Sequence, residues 1–123
     1  LRYWNFLMVP LKNSSIEVII LEQTRTFIHS LPQEEKETAF AMIKSLGELP
    51  HHPKLVKIID KERRIYEVRG STDDFWIRMF WFYYKPKQGD SKIVVTNGYL
   101  KKQNQTDPNE VKKASKIKRS YEA

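Results

Sequence analysis

The sequence predicts an α+β domain: a twisted antiparallel sheet preceded by a helical hairpin and closed by one further helix. Three observations lead there. Apolar residues between Thr24 and Gly47 recur at helical spacing, residues 64–100 alternate at period two around two turn-rich linkers, and the last quarter is a lysine-rich stretch with apolar residues at helical intervals. With 123 residues, 40% hydrophobic and 12% aromatic, the chain can bury one sizeable core. Residues 15–123 read as a single domain and residues 1–14 as an N-terminal extension, with Met8 nearer a natural start than Leu1.

Residues 16–21 are β-branched and apolar, as a strand requires. Phe27, Ile28 and Leu31 then mark a short helix. Pro32 stands where a second helix begins, Ala39, Phe40, Ile43 and Leu46 form its apolar stripe, and Gly47 offers a stop. Residues 48–53 form a loop by their prolines, which makes His51 and His52 loop residues. Residues 54–64 are polar and basic and remain unassigned, read as an irregular loop.

Three strands follow in meander order at residues 64–69, 75–84 and 92–100. In the first, Ile65, Glu67 and Arg69 share one face, opposite Tyr66 and Val68. In the second, Arg78 lies with Trp76, Phe80 and Phe82, opposite Ile77, Met79 and Trp81. An arginine among such neighbours is costly unless that face is open or the charge is paired. A concave basic face left open is therefore expected. At the end of the third strand a lysine pair, Lys101 and Lys102, precedes a helix start. Thr106 and Asp107 can cap that helix, Pro108 suits its first turn, and Glu110 falls at capping-box spacing from Asp107. The helix runs over 108–121, with Val111, Ala114, Ile117 and Tyr121 available for one face, and is expected to dock on the sheet.

There are no cysteines, which excludes disulfides and thiolate chemistry, and three histidines, two of them adjacent, make no zinc set. No metal and no cofactor is expected. The run Val18-Ile19-Ile20-Leu21 is too short to span a bilayer and no signal peptide is evident, so a soluble cytoplasmic protein is the default. The net charge of +7 favours polyanionic partners. Cations crowd the last quarter (Lys101, Lys102, Lys112, Lys113, Lys116, Lys118, Arg119) and the middle (Lys61, Arg63, Arg64, Arg69, Arg78), whereas Glu34, Glu35 and Glu37 form an acidic cluster in the first half.

The stretch from Gly98 to Val111 resembles the end of the HigB-type toxins of the RelE/ParE superfamily, with Lys101, Lys102, Thr106, Glu110 and Ala114 in step. Ile65-Tyr66-Glu67-Val68-Arg69 and Ile77-Arg78-Met79-Phe80-Trp81 are similar to two strands of that family. The resemblance spans residues 16 to 121. It implies a small RelE-like fold and a type II toxin: a ribonuclease cutting messenger RNA on the ribosome, neutralised by a cognate helix-turn-helix antitoxin. The sequence departs from the pattern at Asn97, where many relatives carry histidine, at Gln103, Asn104 and Gln105, and at Asp107, where proline is typical.

Metal-free cleavage through the 2′-hydroxyl of RNA needs cations at the scissile phosphate, a proton acceptor and a donor to the leaving oxygen. Arg78 is the first candidate for the phosphate clamp, since a guanidinium holds two phosphate oxygens at once, and Arg69 is the second. Lys101 and Lys102 are candidates for transition-state stabilisation or proton transfer. Glu67 is a candidate base, with a surface pair to Arg69 as its rival reading. Arg64, Trp76, Tyr99, Gln103, Gln105 and Lys112 are the candidate RNA-binding residues, Tyr99 having a core role as its rival. Two other functions remain open on sequence: a non-catalytic RNA- or DNA-binding module, and a ParE-like gyrase inhibitor.

Overall fold

A computed structural model describes residues 16–48, 50, 56–102 and 105–123. The expected extension at residues 1–14, the loop histidines His51 and His52, and Gln103 with Asn104 lie outside the described residues. Strand β1 (Val18–Ile20) leads into helices α1 (Glu22–His29) and α2 (Gln33–Glu48). Strands β2 (Val56–Asp60), β3 (Ile65–Ser71), β4 (Trp76–Tyr84) and β5 (Lys92–Lys101) follow, and helix α3 (Pro108–Glu122) closes the domain. The described strands form a five-stranded sheet ordered β1-β5-β4-β3-β2.

The α+β architecture, the helical hairpin and the closing helix are as the sequence predicts. The sheet is mixed, however, because β1 adds to the antiparallel strands by pairing parallel with β5, Val18 opposite Ile93 and Ile20 opposite Val95. A second difference is β2, within the stretch read as an irregular loop. It is an edge strand, antiparallel to β3, and its Ile58 is 43% exposed. An edge strand with an open outer side needs no clean apolar alternation, so its pattern was silent. Nor does Gly47 stop α2, which runs on to Glu48. Gly47 instead allows a close approach. Its carbonyl accepts from the Ile16 N–H at 2.9 Å, and a Cβ there would lie 3.2 Å from the Ile16 carbonyl oxygen and 3.2 Å from Val18.

Both sheet faces are covered. Between the sheet and α1/α2 lies the main core, with Ile28, Ile43 and Leu46 packed against Val68, Ile77, Met79, Trp81 and Val95. A smaller core, Ile65, Phe80 and Ala114 flanked by Tyr99 and Val111, lies between the sheet and α3. The face expected to be open is thus the one that α3 occupies. One irregularity sets what α3 meets. Phe80 pairs with Asn97 but Trp81 pairs with Val95, so Thr96 is an extra residue in β5. Ile93 and Val95 belong to the main core, whereas Asn97 and Tyr99 face α3.

Candidate functional site

The register of β3, β4 and β5 lines up Arg69, Arg78 and Tyr99 in one cross-strand row and Glu67, Phe80 and Asn97 in the next. Period-two alternation therefore gathers the charges named from sequence onto the α3 face. At the centre, Glu67 Oε1 accepts from Arg78 at 2.7 Å and from the Arg69 Nε at 3.2 Å. Glu67 Oε2 accepts from the Thr106 hydroxyl at 3.0 Å, and the same hydroxyl lies 3.4 Å from the Arg78 guanidinium. One carboxylate, two guanidiniums and one hydroxyl form a closed cluster. The Arg78 guanidinium also sits 6.0 Å from the ring centre of Trp76, which is within cation–π range.

Burial separates the members. Glu67 is fully buried, so the reading of a surface pair does not hold. Arg78 is 1% exposed, against 28% for the Arg69 side chain. Of the cations near the cluster, Lys102 is exposed and Lys101 partly so, Lys101 pairing with Trp76 where β4 starts and β5 ends. Arg64 lies away from the cluster at the exposed start of β3, and Lys112 is exposed on α3. Gln105 is exposed just before Thr106.

The lid over the cluster is the start of α3. Asp107 is the N-cap, its carboxylate accepting from the Asn109 N–H at 2.9 Å. The other half of a capping box is absent, because Glu110 turns to the sheet: Asn97 donates to both its carbonyl and its carboxylate, at 3.2 and 3.3 Å. Tyr99 compensates. Its hydroxyl accepts from the Asp107 N–H at 2.8 Å, while its ring stacks on Phe80. Burial pushes the Tyr99 phenol above its ordinary range, with the Glu67 charge adding to it, which keeps it neutral and suited to hydrogen bonding. Tyr99 and Asn97 therefore hold α3 to β5. Phe82, on the same face as Arg78, is fully buried beneath Tyr121.

Thr106 is the residue that sequence reasoning placed differently. Its position beside Asp107 suggested a cap; Asp107 takes that role and leaves Thr106 free to bridge Glu67. Asn97, noted as a missing histidine, is 2% exposed and anchors the helix. Among the described residues no group of His, Asp and Glu is placed to hold a metal ion, and no helix is long and apolar enough to cross a membrane. The family described as "Phage derived protein Gp49-like (DUF891)" matches residues 26–119. No curated protein and no solved structure matches the chain.

Proposed function

Because this chain belongs to the phage-derived Gp49-like family, which is associated with the toxins of toxin–antitoxin systems, we propose that it is an endoribonuclease toxin that cuts messenger RNA on the ribosome. The observation that carries this reading is the Glu67–Arg69–Arg78–Thr106 cluster beside an accessible lysine pair. Arg69, Lys101 and Lys102 supply the cations that reach solvent and meet the phosphate. Glu67 orients both guanidiniums. Arg78 enters the site when the Thr106 segment lifts, since in the closed arrangement it cannot touch a substrate. Trp76 and Gln105 contact the RNA strand beside the lysines. The family implies an antitoxin partner, and we propose a helix-turn-helix protein that blocks the toxin by covering this face.

The test is induced expression in bacteria of the wild type beside an Arg69→Ala, Lys101→Ala, Lys102→Ala variant. These positions reach solvent, so the variant keeps its fold, as circular dichroism would show. Wild-type induction is expected to arrest growth and create new ends within translated messages, and the variant to do neither. Normal growth with intact messages and soluble wild-type protein would sink the reading. That outcome would favour a non-catalytic RNA- or DNA-binding module, for which the burial of Glu67 and Arg78 is the specific support.

A further inference from the structure

A trough runs between the β2–β3 turn and the outer flank of α3, and none of the cluster residues lines it. It consists of two hollows, of about 300 and 450 Å³, which share Arg63, Ser115 and Arg119 and so form one continuous surface. Its cations outnumber its carboxylates. One carboxylate, Asp60, is already engaged: it accepts from the Arg63 N–H at 2.9 Å and pairs with the Arg63 guanidinium at 3.0 Å. Arg64, Lys112, Lys116 and Arg119 make no ion pair among the described residues.

The trough is built rather than incidental. Lys118 donates to the Arg63 carbonyl and ties the helix to the turn, with its ammonium also over the Phe82 ring. Ser115 is buried between the two walls. Arg64 sits at φ +57°, the left-handed region that glycine or asparagine occupies at less cost. The turn therefore holds an arginine in a conformation that favours another residue. On the opposite wall, Lys112, Lys116 and Arg119 are four and three residues apart, which at the helical rise sets them roughly 6 and 4.5 Å apart along the axis. That ladder of point charges suits successive phosphates. The apolar lining is Val111, so the aromatic anchors that give protein interfaces their affinity are missing.

We propose that this trough is a second, non-catalytic contact that holds the sugar-phosphate backbone of RNA through Arg64, Lys112, Lys116 and Arg119, without reading its bases. It shares with the proposed function only the premise that RNA is bound. The experiment is binding of a short single-stranded RNA oligonucleotide over a potassium chloride series, by fluorescence polarisation. A Lys116→Ala/Arg119→Ala double variant is compared with Lys44→Ala/Lys87→Ala, which removes equal charge elsewhere; all four side chains are exposed. Each lost phosphate contact lowers the slope of log affinity against log salt by about 0.7, so the trough variant is expected to lose about 1.4 and to do so equally across RNA sequences. The control variant keeps the wild-type slope. Equal slopes for the two variants would overturn the proposal. So would an acidic peptide whose binding depends on Lys116 and Arg119 when RNA binding does not, which would make the trough a protein site. Cleavage is not read: a wild type that cuts messages while the trough variant keeps its slope refutes the trough alone, and a wild type that never cuts leaves it standing.

Discussion

Removing the Glu67 carboxylate takes from the Arg78 guanidinium, which is 1% exposed, the charged partner that lies 2.7 Å away. Breaking a buried pair from one side costs about 3–5 kcal/mol, because the remaining charge is left without its counterion. Glu67→Ala is expected to lose that much in urea denaturation, and Glu67→Leu combined with Arg78→Met to lose less than Glu67→Ala alone. Arg69→Ala, at the solvent-reaching end of the cluster, is expected to cost at most about 1 kcal/mol. An equal loss for Glu67→Ala and Arg69→Ala would show that the cluster is not closed as described. A second residue titrates at the alkaline end. Burial pushes the Tyr83 phenol up to about 12, with Tyr66 adding to it, whereas the unfolded phenol ionises near 10.0. The native state therefore favours the neutral form. Its contribution is intact below the unfolded value and disappears as pH rises towards about 12. The urea midpoint should fall across that interval, and less in Tyr83→Phe. That Glu67 and Arg69 share a strand face was legible in sequence by alternation; that Arg78 and Thr106 would close on the same carboxylate was not. Nor was the burial of Glu67 and Arg78, because alternation assigns a side and says nothing of what covers it.

At the scale of elements, the first turn of α3 is one of its ties to the sheet, beside those of Ala114, Lys118 and Tyr121. Asp107→Ala removes the acceptor for the Asn109 N–H and is expected to cost about 1 kcal/mol. Hydrogen exchange should show the effect first at Asn109 and Glu110, with the rest of the sheet unchanged; protection unaltered at both would contradict the cap. The start of this helix was readable because Asp107 and Pro108 carry an explicit signal. The Tyr99 and Asn97 contacts beneath it were not, because they depend on the extra residue at Thr96, and a bulge leaves no mark in an apolar run such as Ile93-Val94-Val95. Strand β2 escaped for the opposite reason: with one edge unpaired and Ile58 exposed, its residues were not selected for an apolar rhythm. The parallel pairing of β1 was equally hidden, as the direction of a short edge strand is decided by its distant partner.

The whole molecule is a sheet between two unequal layers, a hairpin over one face and a single basic helix over the other. A chain ending at Thr106 would bare Phe80, Phe82 and Ile65 together with Glu67 and Arg78, all fully or almost fully buried. It is expected to aggregate, which gel filtration would show, because an exposed apolar sheet face invites association. A monomeric, folded product would mean that α3 contributes little to the fold. At this scale the fold class was legible because helical and period-two stretches are separated in the chain, while the sharing of the two faces was decided by how little apolar surface α3 carries. The pairing of β1 with β5 also has a consequence for synthesis. Glu17 and Lys92, 75 residues apart, bond at 2.6 Å at the join. A ribosome delivers β1 before its partner, so that strand must wait, unpaired, until β5 has been made. The cluster waits longer still, for Thr106. A protein proposed to attack messages at the ribosome thus completes its cluster only once Thr106 has been made, and a copy terminated before that residue lacks the hydroxyl that closes on Glu67.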